Sequence, residues 1–307
     1  MKLFSILTLL GSIALTPISA TTAAAQNPSL IKKLNAYVDC INRLSARAHD
    51  SRARYFSWAD YKGPTGKERI IYGVYTIYDT SDCRKKVEIA NALEPRIPDL
   101  EAAASAYAEA VGTLEPVLKE TDDYYTQQDY KDDKMAKGKA LHTRLLFAWE
   151  AFGKADKALS SGVEVLRDKL ALDKLAEIEQ KEGRKARYYV DLLMIQAKNV
   201  MRTMGGAKPN IGEITKTLSE YEETVKATEQ ISGEGDQKIG SFFIGSAKSY
   251  LTTSKQLMRR IRDKTPYSSG DKMMMNGGGA WMVEGSPARL LKDYNELVQA
   301  YNRGSRI

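Results

Sequence analysis

The chain has 307 residues, of which 43% are hydrophobic and 28% charged, with a formal charge of +7 at pH 7. That length permits a substantial apolar core without disulfide staples. Charges of both signs are interleaved throughout, which describes a solvated helical surface and excludes the basic stripe of a nucleic-acid-binding domain.

Residues 1–25 read as a secretory signal peptide. Lys2 supplies the basic start, Leu3 to Thr16 the apolar run, and Ala23-Ala24-Ala25 a small-residue cleavage site before Gln26, with Ala20 as a second site. An uncleaved anchor is the alternative, although the apolar run is short for a membrane span. No cysteine lies near either cleavage site, and no later segment is apolar for long enough to span a bilayer. The expected mature protein, residues 26–307, is a single domain, soluble, and periplasmic or secreted. Its two cysteines, Cys40 and Cys83, are expected to pair in an oxidising compartment. Two buried free thiols are the alternative.

Apolar residues at Leu30, Leu34, Tyr37, Ile41, Leu44 and Ala48 predict a helix from Ser29 to about Tyr61. Gly63-Pro64-Thr65-Gly66 stops it. Lys67 to Tyr78 suits either a helix or a short strand, and helix is the preferred reading. Ser81 or Asp82 caps the next helix, which Pro95 and Pro98 interrupt. Another helix carries Leu100 to Leu114, with Pro116 expected to kink or end it.

A long stripe follows from Leu141 to Leu170 and on to Ile178, with Gly162 as its weak point and Gly183 as its break. Tyr189 to Met204 forms the next helix, closed by a turn over residues 205–209. Asn210 with Glu213 opens another in the manner of a capping box. Residues 232–236 form a Gly-rich acidic loop. Phe242 to Ile261 is helical, with Arg259, Arg260 and Arg262 placed to favour its dipole. Thr265 to Gly285 reads as a long non-periodic loop. Ser286-Pro287 then caps a last helix running to about Asn302. The fold class is therefore all-α, expected as an elongated antiparallel helical bundle. Tyr37, Tyr107, Tyr221 and Tyr294 each begin a Tyr-x-acid-x-Val/Ile pattern, which places Tyr and the aliphatic residue on one helix face.

Catalytic signals are thin. The two histidines are His49 and His142, and there is no GxSxG, HExxH, P-loop or dinucleotide fingerprint. Cys40 and His49 fall on opposite sides of one helix, so a thiol–imidazole pair is excluded. Asp129, Asp132 and Asp133 lack the Gly and closing Glu of an EF-hand loop. Met273, Met274, Met275 and Met282 raise the possibility of Cu(I) binding. A loop that packs its thioethers into a groove, or presents them as a contact surface, is the competing reading.

The run Tyr124 to His142, YYTQQDYKDDKMAKGKALH, together with KLNAYVDCIN at Lys33–Asn42 and YNELVQAYN at Tyr294–Asn302, resembles the YiiG-like family of bacterial envelope proteins, a domain of unknown function. The resemblance covers the chain from about Leu30 to Asn302. It implies an exported α-helical domain with no established activity, catalytic residue or cofactor. Relatives resembling lipoproteins carry a lipobox cysteine that this chain lacks.

The leading expectation is a non-enzymatic binding or structural protein of the cell envelope, with an envelope protein, lipid or polymer as partner. Tyr125, Tyr130, Asp132, Asp133, Lys137, Lys139 and His142 are its candidate ligand-binding residues. The alternatives are an envelope-polymer hydrolase or lyase using carboxylates from Asp129 to Asp133, and copper binding by the Met-rich loop.

Overall fold

The computed structural model describes residues 28–205, 209–232 and 239–304. The expected signal peptide, most of the turn at 205–209 and most of the acidic loop at 232–236 lie outside the described residues. Among the described residues there are nine α-helices and no strand: α1 (Pro28–Phe56), α2 (Thr80–Asn91), α3 (Pro98–Thr126), α4 (Ala136–Glu182), α5 (Ala186–Met204), α6 (Ile211–Ser232), α7 (Ser241–Arg262), α8 (Ser269–Asn276) and α9 (Pro287–Gly304). The all-α expectation is met.

Two large apolar cores organise these helices. The first gathers the inward stripes of α1, α2, α3 and the first half of α4, from Leu34 to Val163. The second gathers α5, α6, α7 and α9, from Ala186 to Ala300. Helix α4 has 47 residues, which at 1.5 Å per residue makes it about 70 Å long. Its last turns add Leu175 and Ile178 to a small cluster with Tyr188 of α5. No helix of the described residues is long and apolar enough to cross a membrane.

The tyrosine pattern marks helix-to-helix bonds. Tyr37, Tyr107 and Tyr221 are fully buried, and their hydroxyls reach partners across the packing interface. Tyr37 donates to Asn91 Oδ1 at 2.5 Å and Tyr221 to the Ala247 carbonyl at 3.2 Å. Burial pushes the Tyr37 and Tyr107 hydroxyls up to about 12.

Several sequence expectations are corrected. Residues 67–78 form no helix; they run as an irregular strap along α1. The strap's backbone groups are satisfied by α1 side chains, which removes the need for helical bonds. Ser51 Oγ donates to the Tyr75 carbonyl at 2.6 Å and accepts from the Tyr75 N–H at 3.2 Å, while Arg54 Nε donates to the Tyr72 carbonyl at 2.9 Å. The Arg47 guanidinium stacks over the Tyr75 ring at 3.9 Å.

Helix α3 continues through Pro116 to Thr126. Buried Leu114, Val117 and Leu118 hold both sides of the proline in the first core. Helix α4 also continues through Gly162, where a Cβ would lie 2.9 Å from Leu100 Cδ1, so this glycine permits close approach to α3. Neither Ser81 nor Asp82 caps α2, which begins ahead of both at Thr80; the Asp82 carboxylate pairs with Arg43 at 2.5 Å and Lys86 at 3.1 Å. Between Thr265 and Gly285 stands α8, opened by a capping box in which Ser268 Oγ accepts from the Asp271 N–H at 3.1 Å and Asp271 accepts from the Ser268 N–H at 3.0 Å.

Cys40 and Cys83 are buried with Cα atoms 5.3 Å apart and form a disulfide between α1 and α2. Asn210 Oδ1 accepts from the Gly212 N–H at 2.9 Å, and Ser286 Oγ from the Arg289 N–H at 3.1 Å, so both of these expected caps are in place.

Candidate functional site

The Tyr124–His142 stretch is the joint between α3 and α4. Tyr124 and Tyr125 end α3 with both rings buried, and a 3-10 turn at Asp129–Lys131 reverses the chain. Asp133 closes the joint: Oδ1 accepts from the Tyr124 hydroxyl at 2.8 Å and Oδ2 from the Lys137 N–H at 2.8 Å. These bonds, led by the Lys137 amide, hold the Asp133 carboxyl below its ordinary value. A Cβ on Gly138 would fall 2.6 Å from Met135 Sδ and 3.0 Å from the Tyr125 hydroxyl oxygen. The glycine of the KGK motif therefore lets α4 start close against α3 without displacing these side chains.

His142 is buried in the same joint. The Tyr61 carbonyl, 3.2 Å from Nε2, can only accept, so Nε2 carries the proton. Nδ1 then accepts from the Tyr55 hydroxyl at 3.0 Å. Tyr55, Trp58, Tyr125 and Trp149 pack around this bond with ring centroids about 5 Å apart. The Tyr125 hydroxyl is buried and makes no hydrogen bond of ordinary geometry, although it lies near enough to Tyr55 to be felt electrostatically; burial drives it well above its usual value.

The seven candidate residues thus divide. Tyr125 and His142 belong to the aromatic interior, and Tyr130 is half-buried beside them. Asp133 serves as a cap. Lys137 is exposed and pairs with Glu120 at 3.3 Å, while Asp132 and Lys139 face solvent. Among the described residues no group of three or more His, Cys, Asp or Glu is placed to hold a metal ion.

A polar network absent from the sequence reading joins α1, α3 and α4. Tyr107 lies 2.8 Å from Ser45 Oγ, Ser45 donates to Asp156 Oδ1 at 2.6 Å, and His49 Nε2 sits 3.1 Å from Asp156 Oδ2. The residue types are those of a hydrolytic triad, but the carboxylate stands between serine and imidazole. An imidazole that does not touch the hydroxyl cannot take its proton. The arrangement ties three helices together.

A concavity lies between the second half of α4, α5 and α9. This cleft has a volume of about 560 Å³, within the range of small-ligand sites. Arg167, Lys174, Lys198 and Arg202 line it alongside two acids, Asp168 and Asp191. Asp168 is engaged by Lys198 at 2.5 Å and Arg202 at 3.1 Å. Asp191 accepts from the Tyr301 hydroxyl at 2.7 Å and pairs with Lys174 at 2.9 Å. Leu172, Met194, Ile195 and Val298 give the cleft an apolar wall.

A family model described as a protein of unknown function (DUF3829) matches residues 28–303. The chain belongs to this family. It is 38% identical over 276 residues to the uncharacterized protein YiiG of Escherichia coli (strain K12), spanning 88% of this chain and 78% of that protein. No solved structure matches.

The segments that carried the resemblance can now be placed on the structure. DYKDD–KGK–LH builds the α3–α4 joint. YNELVQAYN is the second half of α9, and its Tyr294, Val298, Tyr301 and Asn302 line the α4–α5–α9 cleft. On sequence YNELVQAYN carried the resemblance without pointing to a cavity. Its signal was two tyrosines seven positions apart, which share a helix face. The cations of the cleft come from two other helices and carry no local motif.

The Met-rich segment is also placed. Met273, Met274 and Met275 are consecutive on α8 and so diverge by about 100° each. Met273, Met274 and Met282 are exposed.

Proposed function

We propose that the chain is an exported, non-catalytic binding protein of the cell envelope whose ligand, an amphiphilic anion, sits in the α4–α5–α9 cleft. The cleft's make-up carries this reading. Lys174, Lys198 and Arg202 pair with acids, Arg167 carries the remaining positive charge, and Leu172, Met194, Ile195 and Val298 add apolar lining. An acid headgroup on a short apolar body matches this mixed lining.

The disulfide between α1 and α2 suits an oxidising compartment, and the apolar run after Lys2 suits export. The hydrolase alternative is weakened at its own carboxylates, because both oxygens of Asp133 serve the α3–α4 joint.

The test is calorimetric titration of the mature protein with lysophosphatidylglycerol and medium-chain fatty acids below their micelle concentrations. Saturable binding that Arg167→Glu weakens by about tenfold is expected. No binding of any member, or binding indifferent to Arg167→Glu, overturns the reading. Fractionation of expressing cells tests export separately: recovery in the cytoplasmic fraction with the leader intact sinks it.

A further inference from the structure

Helix α8 has eight residues and none of them is buried. It is held by its own capping box and by the 3-10 turn at Ala280–Met282 that folds back on it, where Gly279 N–H donates to the Met274 carbonyl at 2.8 Å. The reversal brings Met274 and Met282 together, since Met274 Cβ and Met282 Cε both lie within 4 Å of the point where a Cβ on Gly279 would stand. Trp281 is next in the turn. The result is a small ridge in which Met273 is 78% exposed, Trp281 48% and Met282 47%.

The ridge projects from a cationic surround. Residues 259–296 hold seven Lys and Arg against five Asp and Glu. Three of those acids are occupied locally: Asp263 pairs with Arg262 at 2.8 Å, Glu296 with Lys292 at 2.6 Å, and Asp271 accepts within the α8 cap, which leaves Lys272 and Arg289, among the described residues, as the cations without an ion pair beside the ridge. Lys292 lies over the Trp281 ring at 5.8 Å, Arg289 reaches the Met282 carbonyl at 3.4 Å, and Lys272 adjoins Met273 on the exposed side of α8.

From this geometry we infer that the α8–Trp281 ridge docks on an anionic lipid bilayer, with the Met273, Met282 and Trp281 side chains entering the headgroup–acyl boundary and the surrounding Lys and Arg facing lipid phosphates. Protruding thioethers can enter a soft interface. Indole, with an apolar ring and a polar N–H, favours the same depth. The cations add attraction to acidic headgroups that falls with salt. The ridge is a different surface from the α4–α5–α9 cleft, and its binding does not depend on a ligand there.

Flotation of the mature protein with phosphatidylglycerol–phosphatidylethanolamine vesicles tests the inference, with phosphatidylcholine vesicles as the neutral control. Binding to the anionic vesicles is expected, reduced at about 0.5 M salt. Acyl-brominated lipid should quench a tryptophan component that Trp281→Phe abolishes. Met273→Asp and Lys272→Glu should each lower the partition coefficient by about tenfold. Met273 is so exposed that its replacement leaves packing intact, which an unchanged melting temperature verifies. Arg167→Glu, in the cleft, should bind vesicles as the unaltered protein does. Absence from the anionic vesicles overturns the inference, as does equal binding to both vesicle types or binding indifferent to Met273→Asp.

Discussion

The Tyr55 hydroxyl donates to Nδ1 of His142 at 3.0 Å. The bond crosses from α1 to α4 inside the aromatic interior and, with the Tyr61 carbonyl on the other nitrogen, fixes both ring position and tautomer. His142→Ala would open a cavity and leave the Tyr55 hydroxyl unpaired. A loss of about 2–4 kcal/mol in unfolding free energy is expected from urea denaturation. A loss below about 1 kcal/mol would mean that the ring is not a structural member of the core.

Lys33 is 0% exposed and meets the buried carboxylate of Glu101, which also takes two bonds from Arg96, at 2.9 and 2.7 Å, and one from the Ile97 N–H at 2.9 Å. These partners, Arg96 foremost, hold the Glu101 carboxyl down to about 2 from an ordinary 4.5. Because the folded value is depressed, the stabilisation is complete above about pH 4.5 and is lost as the pH falls through 2. Its size is roughly 3 kcal/mol. Glu101→Gln strands the enclosed ammonium of Lys33, so a loss of about 3–5 kcal/mol at neutral pH is expected. Its acid limb should be shallower in denaturation curves taken from pH 5 to 2.

Gly138 is the tightest point of the α3–α4 joint. Gly138→Ala forces the buried Met135 side chain and the Tyr125 ring to move, and should cost about 1–3 kcal/mol despite the better helix propensity of alanine. Thermal melts of the variant decide it. A stabilised variant would show that the joint yields freely.

Arg260 clamps the segment after α7. Its guanidinium donates to the carbonyls of Thr265 at 3.3 Å, Pro266 at 3.0 Å and Glu284 at 3.2 Å, and stacks over the Tyr267 ring at 4.3 Å. Arg260→Ala should leave global stability within about 1 kcal/mol while speeding amide exchange over residues 265–285. Unchanged exchange there would contradict the clamp.

The Cys40–Cys83 bridge closes a separation of 43 residues. Removing it with Cys40→Ser and Cys83→Ser should lower unfolding free energy by about 3–4 kcal/mol in the chain-entropy picture, as measured against the oxidised protein in urea.

Element type was legible wherever one apolar stripe repeated at helical spacing. Leu30 to Ala48 and Leu141 to Leu170 each face a core along their whole length, so local periodicity and tertiary burial agree. The strap at 67–78 was misread because Ile70, Ile71, Val74 and Ile77 fit a helical stripe. What decides its conformation is the set of α1 side chains, Ser51, Arg47 and Arg54, that satisfy its backbone from elsewhere in the chain. Helix α8 was missed for the opposite reason: a helix with no buried residue leaves no stripe, and only Ser268 and Asp271, three apart, announced it.

The Tyr124–His142 stretch was visible as composition, yet its residues turned out to be mostly a joint. Gly138 and Asp133 are set by packing and capping, constraints that sequence shows as specificity without saying of what kind. The cleft was illegible because Arg167, Lys198 and Tyr294 meet only after three helices have been placed.

Helix α4 enters the first core at Leu141 and leaves it near Val163, then packs on α5 through Leu175 and Ile178. The two halves of the protein therefore share one continuous backbone segment, with no loop at which to divide them. A truncation anywhere along it would strip an apolar face from one half while leaving the other with a dangling, partly uncovered helix. A continuous helix packed at both ends also sets how far apart the α3–α4 joint and the α4–α5–α9 cleft stand, so the molecule has a built-in ruler between the two.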